Sequence, residues 1–477
     1  MVKPFFITTP IYYVNDVPHI GHTLTTVVAD IIARSHKLRG EEVFLLTGTD
    51  EHGAKVAEAA KNDGLSPQAY TDKVTKTFSE IWPKLGIQVD YFIRTTNPDH
   101  VRIAQAFLQK LYDQGAMYKD WYRGLYCIGC EKFLTQDDLT DGVCPFHPNR
   151  KPEKQKEENY FFKLKSFIPT LIDALTDEHH PHHYDILPLS KKNEVLSKLK
   201  LGVSDLSISR QKVEWGIPLP WDSGQTCYVW VEALMNYYSA PQIIGKELWP
   251  ADVHLVGKEI LWFHSVIWPA LLIAADLPVP KTIFAHSFYM IDGQKMSKSL
   301  GNVIAPQKLI EKFGADGTRY LLAQSFPYEN DSNVGWGAFT KTYNADLANG
   351  WGNVVQRVSK LAHDADIAGK KTSEVITLYQ EYYNAMDTFR FHDILSHVWV
   401  NIAEVDRLID QNKPWELAKV DPKKARVVLE DLIMRVLRIN THLKPFMPET
   451  SKEIERRLTS SPVEVGPPLF PRVTEQP

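Results

Sequence analysis

Two histidines three residues apart, in Pro18-His19-Ile20-Gly21-His22, stand where a strand-like run gives way to a helix-like one. A helix start offers unpaired N–H groups and a partial positive charge. Gly21 would let a nucleotide approach the backbone, and the imidazoles share one face. The arrangement suits a triphosphate, but on its own it is also what two surface histidines look like, so it needs a partner. Lys295-Met296-Ser297-Lys298-Ser299 follows the turn Asp292-Gly293 and leads into Leu300-Gly301-Asn302. Two lysines and two hydroxyls on a glycine-flanked loop can close over phosphates and neutralise charge as it moves onto a leaving pyrophosphate. The two segments occur in this order about 270 residues apart, which makes a chance pairing improbable.

The cysteines offer a second chemistry. Cys127, Cys130, Cys144 and His147 read as C-x2-C-x13-C-x2-H, two tight turns that each present two donors for a tetrahedral zinc. All four positions are filled by protein, so the expected metal is structural, one per chain. Cys227 is left over and reads as a buried apolar residue. The run Glu178-His179-His180-Pro181-His182-His183 is polar and broken by proline, with no second ligand pair nearby, and reads as a loop rather than a metal site.

The elements that must position these groups follow from periodicity. Residues 4 to 9 are β-prone, Leu24, Val27, Val28 and Ile31 mark one face of a helix that Gly40 stops, and Val43-Phe44-Leu45-Leu46 is a buried-type strand running into Asp50. That β-α-β start favours a parallel sheet with its active groups at the strands' C-terminal ends. From residue 115 to 225 aromatic-rich segments, cysteines and a Lys/Glu-rich stretch read as an insertion. Beyond about residue 335 long helical patterns dominate, at 343 to 362, 373 to 388, 391 to 411 and 422 to 440.

At 477 residues the chain exceeds one domain of about 150 residues. A composition 44% hydrophobic and 23% charged excludes disorder. The first fifteen residues lack the pattern of a secretory signal and no run approaches a membrane span, so a cytoplasmic location without membrane association is expected. The net charge of -4 gives no sign of nucleic acid, and residues 336 to 477 hold 19 basic against 19 acidic side chains. Any nucleic acid must be held by local patches.

The paired motifs HIGH and KMSKS resemble the signature of class I aminoacyl-tRNA synthetases. TTPIYYVNDVPHIGH, LTGTDEHG, SISR, WGIPLPW, YVWVEALMNYYSA and GKEILWFHSVIWPALL are similar to the methionyl-tRNA synthetase family, over about residues 4 to 472. The resemblance implies methionine, ATP with Mg²⁺, and tRNA(Met) as partners, with the zinc in a one-knuckle insertion. It gives His19, Gly21, His22, Arg210, Lys295, Ser297 and Lys298 to ATP and the adenylate, with His19, His22, Lys295 and Lys298 catalytic.

Methionine calls for an acid to meet its ammonium, aromatic walls, and a weak donor for its sulfur. Asp50 ends a strand. Trp230, Ala233, Leu234 and Tyr237 share one helical face, and Ile260, His264 and Trp268 another. Spacing alone would make these faces ordinary core; the resemblance, which adds Ile11 and Tyr13, makes them a pocket. Leu234 departs from the proline of some relatives and reads as an apolar wall. Asn353, Arg357 and Trp415 match the family's anticodon-reading residues.

The expected architecture is α/β: a Rossmann-type parallel-sheet catalytic domain with an inserted zinc-binding connective domain, followed by an all-α anticodon-binding bundle. The expected boundaries are residues 1-114 and 226-289 for the two catalytic halves, 115-225 for the insertion, 290-335 for the KMSKS linker and 336-477 for the bundle. A monomer is the default. The rival readings are another class I synthetase, for an apolar or sulfur amino acid, and a non-catalytic tRNA-binding homologue. An insertion of about 110 residues is short for the editing domains of the leucine, isoleucine and valine enzymes, and intact HIGH, KMSKS and Asp50 oppose a non-catalytic role.

Overall fold

Strands that are apolar on both faces must be covered above and below, and Phe5–Tyr13 and Val43–Asp50 are of this kind, each buried along most of its length. The computed structural model describes residues 3–127, 132–134, 139–145, 151–296, 301–370 and 380–474. It places these two strands in a six-stranded sheet, in the order Tyr91–Arg94, Val43–Asp50, Phe5–Tyr13, Val253–Gly257, Thr282–His286, Asp185–Leu187. Every pairing is parallel. Strand order reverses between Phe5–Tyr13 and Val253–Gly257, the switch point beside which doubly wound sheets open a crevice at their C-terminal edge. Phe6, Leu46, Tyr237, Val256, Trp268 and Ile283 belong to the core around this sheet.

Asp185–Leu187 lies within the range read as an insertion, yet it is an edge strand of the parallel sheet. Three residues followed by proline are too short to register as a strand by periodicity. The inserted material forms its own four-stranded antiparallel sheet, in the order Lys132–Leu134, Met117–Cys127, Glu153–Phe162, Leu206–Ser207.

The chain divides into two compact units. The first comprises Met1–Pro18, Glu41–Glu80 and Val89–His286 and holds both of these sheets. The second comprises His19–Gly40, Ile81–Gln88 and Ser287–Pro477. Within the second unit the Ile20–Leu38 helix packs against the Pro306–Gln324 and Gln380–Asp387 helices. A buried ion pair pins it: Arg319 Nη2 lies 2.7 Å from Asp30 Oδ2, and the same guanidinium donates to the carbonyls of Phe446 and Pro445. The helices Phe391–Asn412, Pro414–Val420, Pro422–Leu443 and Pro448–Thr459 also belong to this unit, and the stretch expected to be helical at 343 to 362 is a π-helical segment, Tyr343–Trp351, followed by the α-helix Gly352–Asp364. Residues 373–379 of the expected 373 to 388 helix lie outside the described residues. Among the described residues no helix is long and apolar enough to cross a membrane.

Candidate active site

The second unit carries the HIGH and KMSKS motifs, the segments expected to meet phosphate. The helix begins at Ile20 with His19 as its cap, so Pro18 stands just before the cap. The histidines themselves satisfy the helix start. Gly21 N–H donates to His19 Nδ1 at 3.1 Å, and His19 N–H donates to His22 Nδ1 at 3.3 Å. The two rings stack at 3.8 Å. A ring nitrogen that accepts carries no proton, so each imidazole presents Nε2 as its donor. A Cβ on Gly21 would lie 3.0 Å from the His19 ring and 3.7 Å from Met296 Cε. Ile20 N–H donates to Ile304 O at 2.9 Å. The two motifs, remote in sequence, therefore adjoin at this helix start.

Lys295 ends a short hairpin, Tyr289–Ile291 with Gln294–Lys295, turned by Asp292 (φ 48°) and Gly293 (φ 79°). Both central residues have positive φ, which aspartate and glycine tolerate. Asn302 donates from Nδ2 to Lys295 O at 3.2 Å. Ser297 and Lys298 lie outside the described residues.

The first unit holds the residues expected to take methionine. Asp50 ends its strand in register with Tyr13 on the neighbouring one, both at the C-terminal edge. The helix expected to carry Trp230, Ala233, Leu234 and Tyr237 on one face breaks at Met235 into Val229–Leu234 and Asn236–Ile243. Ala233, Leu234 and Tyr237 are buried, and Trp230 stacks on Phe263 at 4.9 Å. Ile260, His264 and Trp268 sit on a 3₁₀ turn, a π-helical turn and an α-helix in succession, an irregularity frequent at functional sites. All three are buried. Burial pulls His264 down to about 4, so the ring is neutral near pH 7. His264 Nδ1 lies 2.9 Å from Ile260 O, which can only accept, so Nδ1 holds the proton. Tyr237 O–H then donates to the bare Nε2 at 2.8 Å. The donor expected for a sulfur is thus present, with its proton shared with His264.

Arg210 is buried, its guanidinium 4.1 Å above the Tyr228 ring and bonded to Ser207 and Ser209. Sequence reasoning missed the groups that hold Asp50's loop. Glu51 is buried and takes both arms of Arg94, at 2.7 and 2.9 Å, with Thr49, Thr75 and Thr96. His52 Nδ1 lies 2.7 Å from Glu232 Oε1. Burial opposes the charged ring, but the Glu232 and Glu51 carboxylates outweigh it and hold His52 above its usual value. Their signal was in the quoted segments, where two charged residues follow a buried strand.

Cys127 and Cys144 are buried in one small cluster with Leu134. Cys130 and His147 lie outside the described residues. Cys227 is buried, and burial pushes its thiol up, as an apolar role requires. In the second unit Asn353 is exposed one turn before Arg357, which binds Asp406 at 2.5 Å and Asp410 at 2.8 Å. Trp415, just after the Phe391–Asn412 helix that carries those aspartates, is 42% exposed, as a stacking role needs.

The sequence profile of the family described as tRNA synthetases class I (M) matches residues 5–150 and 147–359. The methionine–tRNA ligase of Clostridium acetobutylicum is 41% identical, covering 96% of this chain and 73% of that protein. That of Streptomyces coelicolor is 37% identical over 100% and 98%. The chain belongs to the methionine–tRNA ligase family. The structure of the Mycobacterium tuberculosis methionyl-tRNA synthetase in complex with methionyl-adenylate superposes on this synthetase with a TM-score of 0.89, at 31% identity and covering 99% and 100% of the two chains.

Proposed function

We infer that this chain activates L-methionine with ATP and transfers it to tRNA(Met), giving methionyl-tRNA, AMP and pyrophosphate. The observation that carries the reading is the Tyr237–His264 pair, a polar handle inside an otherwise apolar aromatic wall. An unbranched thioether is the amino-acid side chain that needs such a handle without a charge. A bound sulfur takes a share of the Tyr237 proton, Asp50 meets the ammonium, and Ile11, Tyr13, Trp230, Ala233, Leu234, Ile260 and Trp268 exclude water.

The methionine carboxylate attacks the α-phosphate of ATP, and pyrophosphate leaves. His19 and His22 donate from Nε2 to phosphate and ribose oxygens, Lys295 and Lys298 neutralise charge on the leaving group, Ser297 adds a hydroxyl, and Arg210 serves the adenylate. Mg²⁺ accompanies ATP when bound. Positioning and electrostatics supply most of the rate. Asn353, Arg357 and Trp415 read the anticodon.

The insertion fits a structural zinc. Two soft donors, Cys127 at the end of a strand and Cys144 just after the turn Thr140–Val143, meet in one buried cluster. Cys130 and His147 complete a tetrahedral set that would tie two turns together. Incubating the protein with labelled methionine, ATP and tRNA(Met) tests the reading. Label joined to tRNA in an ester is expected; tRNA left unlabelled by folded protein overturns it.

A further inference from the structure

One face of the inserted antiparallel sheet carries polar groups to which the reading above gives no role. Along Met117–Cys127 and Glu153–Phe162, residues paired across the strands share a face: Tyr118 with Phe161, Asp120 with Asn159, and Tyr122 with Glu157. Tyr118, Phe161 and Tyr122 form a run of stacked rings, with centroids 5.5 and 6.0 Å apart and planes within 21°. Tyr118 at its outer end is open to solvent. Asn159 and Glu157 continue the same face inward and are almost wholly buried.

These two side chains are short of partners. Asn159 gives its Nδ2 to Ser207 Oγ at 3.2 Å, and its Oδ1 has no hydrogen-bond partner among the described residues. Glu157 Oε2 has none either, and Oε1 faces Lys212 Nζ at 3.9 Å, beyond hydrogen-bond reach. A buried carboxylate and amide left so are costly, and native proteins keep them where something else supplies the donors. Both open atoms are acceptors. On one face of a strand, two residues apart, they stand about 6.6 Å apart at the backbone, within reach of a small ligand bearing adjacent hydroxyls.

Contacts lead from here to the methionine wall within the same unit. Ser207 Oγ accepts from Arg210 Nη1 at 3.2 Å, Arg210 covers Tyr228, and Tyr228 and Trp230 both pack on Phe263. Rings followed by hydroxyl acceptors suit a single-stranded nucleotide, stacked by its base and held by its sugar.

We propose that Glu157 and Asn159 form a seat for the cis-diol of a ribose, with the Tyr118–Phe161–Tyr122 face leading a single strand to it. The inference deepens the methionine-charging reading and rests on it. The ribose is that of the tRNA's terminal nucleotide or that of ATP, and the two steps of the reaction separate them.

Glu157→Gln keeps the shape and removes the charge; Asn159→Ser is the second variant. Methionine-dependent pyrophosphate exchange is measured with ATP and with 2′-deoxy-ATP. Single-turnover transfer from preformed methionyl-adenylate is measured to tRNA with its native end and to tRNA whose terminal ribose lacks the hydroxyl that does not accept methionine. Loss of a hydrogen bond to a charged acceptor lowers the affected step about tenfold to a hundredfold. The expected result is that loss in transfer with native tRNA, shrinking towards nothing with the deoxy tRNA. The same pattern confined to exchange assigns the seat to the ribose of ATP. Equal losses with ribose and deoxyribose in both arms, or no loss with either variant, overturn the proposal. If Glu157→Gln fails to fold, Asn159→Ser carries the same comparison. Wild-type exchange with methionine separates failure of the seat from failure of the charging reading.

Discussion

Tyr237 and His264 are proposed to set the selectivity of the pocket through the proton they share. Removing the hydroxyl by Tyr237→Phe leaves the walls and takes away the group that distinguishes sulfur from methylene. The expected outcome is a KM for methionine raised about tenfold in pyrophosphate exchange, consistent with one lost hydrogen bond of about 1 kcal/mol or a little more. Norleucine should then be activated nearly as well as methionine. Unchanged discrimination against norleucine would remove Tyr237 from sulfur recognition. At this scale the candidate site was legible in part: HIGH and KMSKS are local patterns, whereas the two apolar faces read as core by spacing and became pocket candidates only through the resemblance. The tautomers were not legible, since they depend on which backbone groups each ring meets: Gly21 and His19 N–H for the HIGH pair, Ile260 O for His264. Nor were Glu157 and Asn159, which look like part of a solvated charge run until the strand pairing buries them.

At the scale of elements, the parallel sheet buries histidines that must stay neutral. Burial holds His100 near 3 and His264 near 4, and pulls His254 well down. In the unfolded chain each takes a proton below about 6.5, so each favours folding above that value and loses its contribution as pH falls from 6.5 towards 4. His52, raised in the fold, works the other way: its contribution is complete below 6.5 and lost at higher pH. Stability should therefore fall between pH 6.5 and 4.5, by about 1.4 kcal/mol per pH unit for each buried neutral ring. His100→Gln should flatten the denaturant midpoint against pH by roughly one ring's worth; an unaltered slope would contradict the assignment. The inserted sheet is expected to depend instead on the proposed zinc. Cys144→Ala should lose the bound zinc and lower the melting temperature, as folding and metal binding are coupled. Full zinc content and unchanged melting would refute the site.

Element boundaries were legible where periodicity is long, as in Ile20–Leu38, Phe391–Asn412 and Pro422–Leu443. Asp185–Leu187 was hidden because three residues carry no period, and the break at Met235 because both halves keep the same apolar pattern.

At the scale of the whole molecule, the residues proposed to read the anticodon and those proposed to hold methionine are carried by different compact units, while the HIGH and KMSKS residues belong to the same unit as the former but lie far from them in sequence. Trp415→Ala should leave methionine-dependent exchange near the wild-type rate. Charging of tRNA(Met) should fall about tenfold to a hundredfold, the effect of one lost stacking contact. Normal charging would return Trp415 to the ordinary surface aromatics, whereas loss of exchange would mean that the substitution had disturbed the fold. The global organisation was partly legible: the β-α-β start and the helical C-terminal pattern announced it, but the association of the His19–Gly40 segment with the C-terminal unit was not, because it rests on the long-range pair Arg319–Asp30.

The central claim, that this pocket selects methionine for activation by ATP, is tested most directly by amino-acid-dependent pyrophosphate exchange with each of the twenty amino acids. Strong exchange with methionine alone is the predicted result, because the proposed pocket offers its side-chain end a shared hydroxyl proton and no charge. Equal exchange with leucine or isoleucine, or none with methionine, would contradict it.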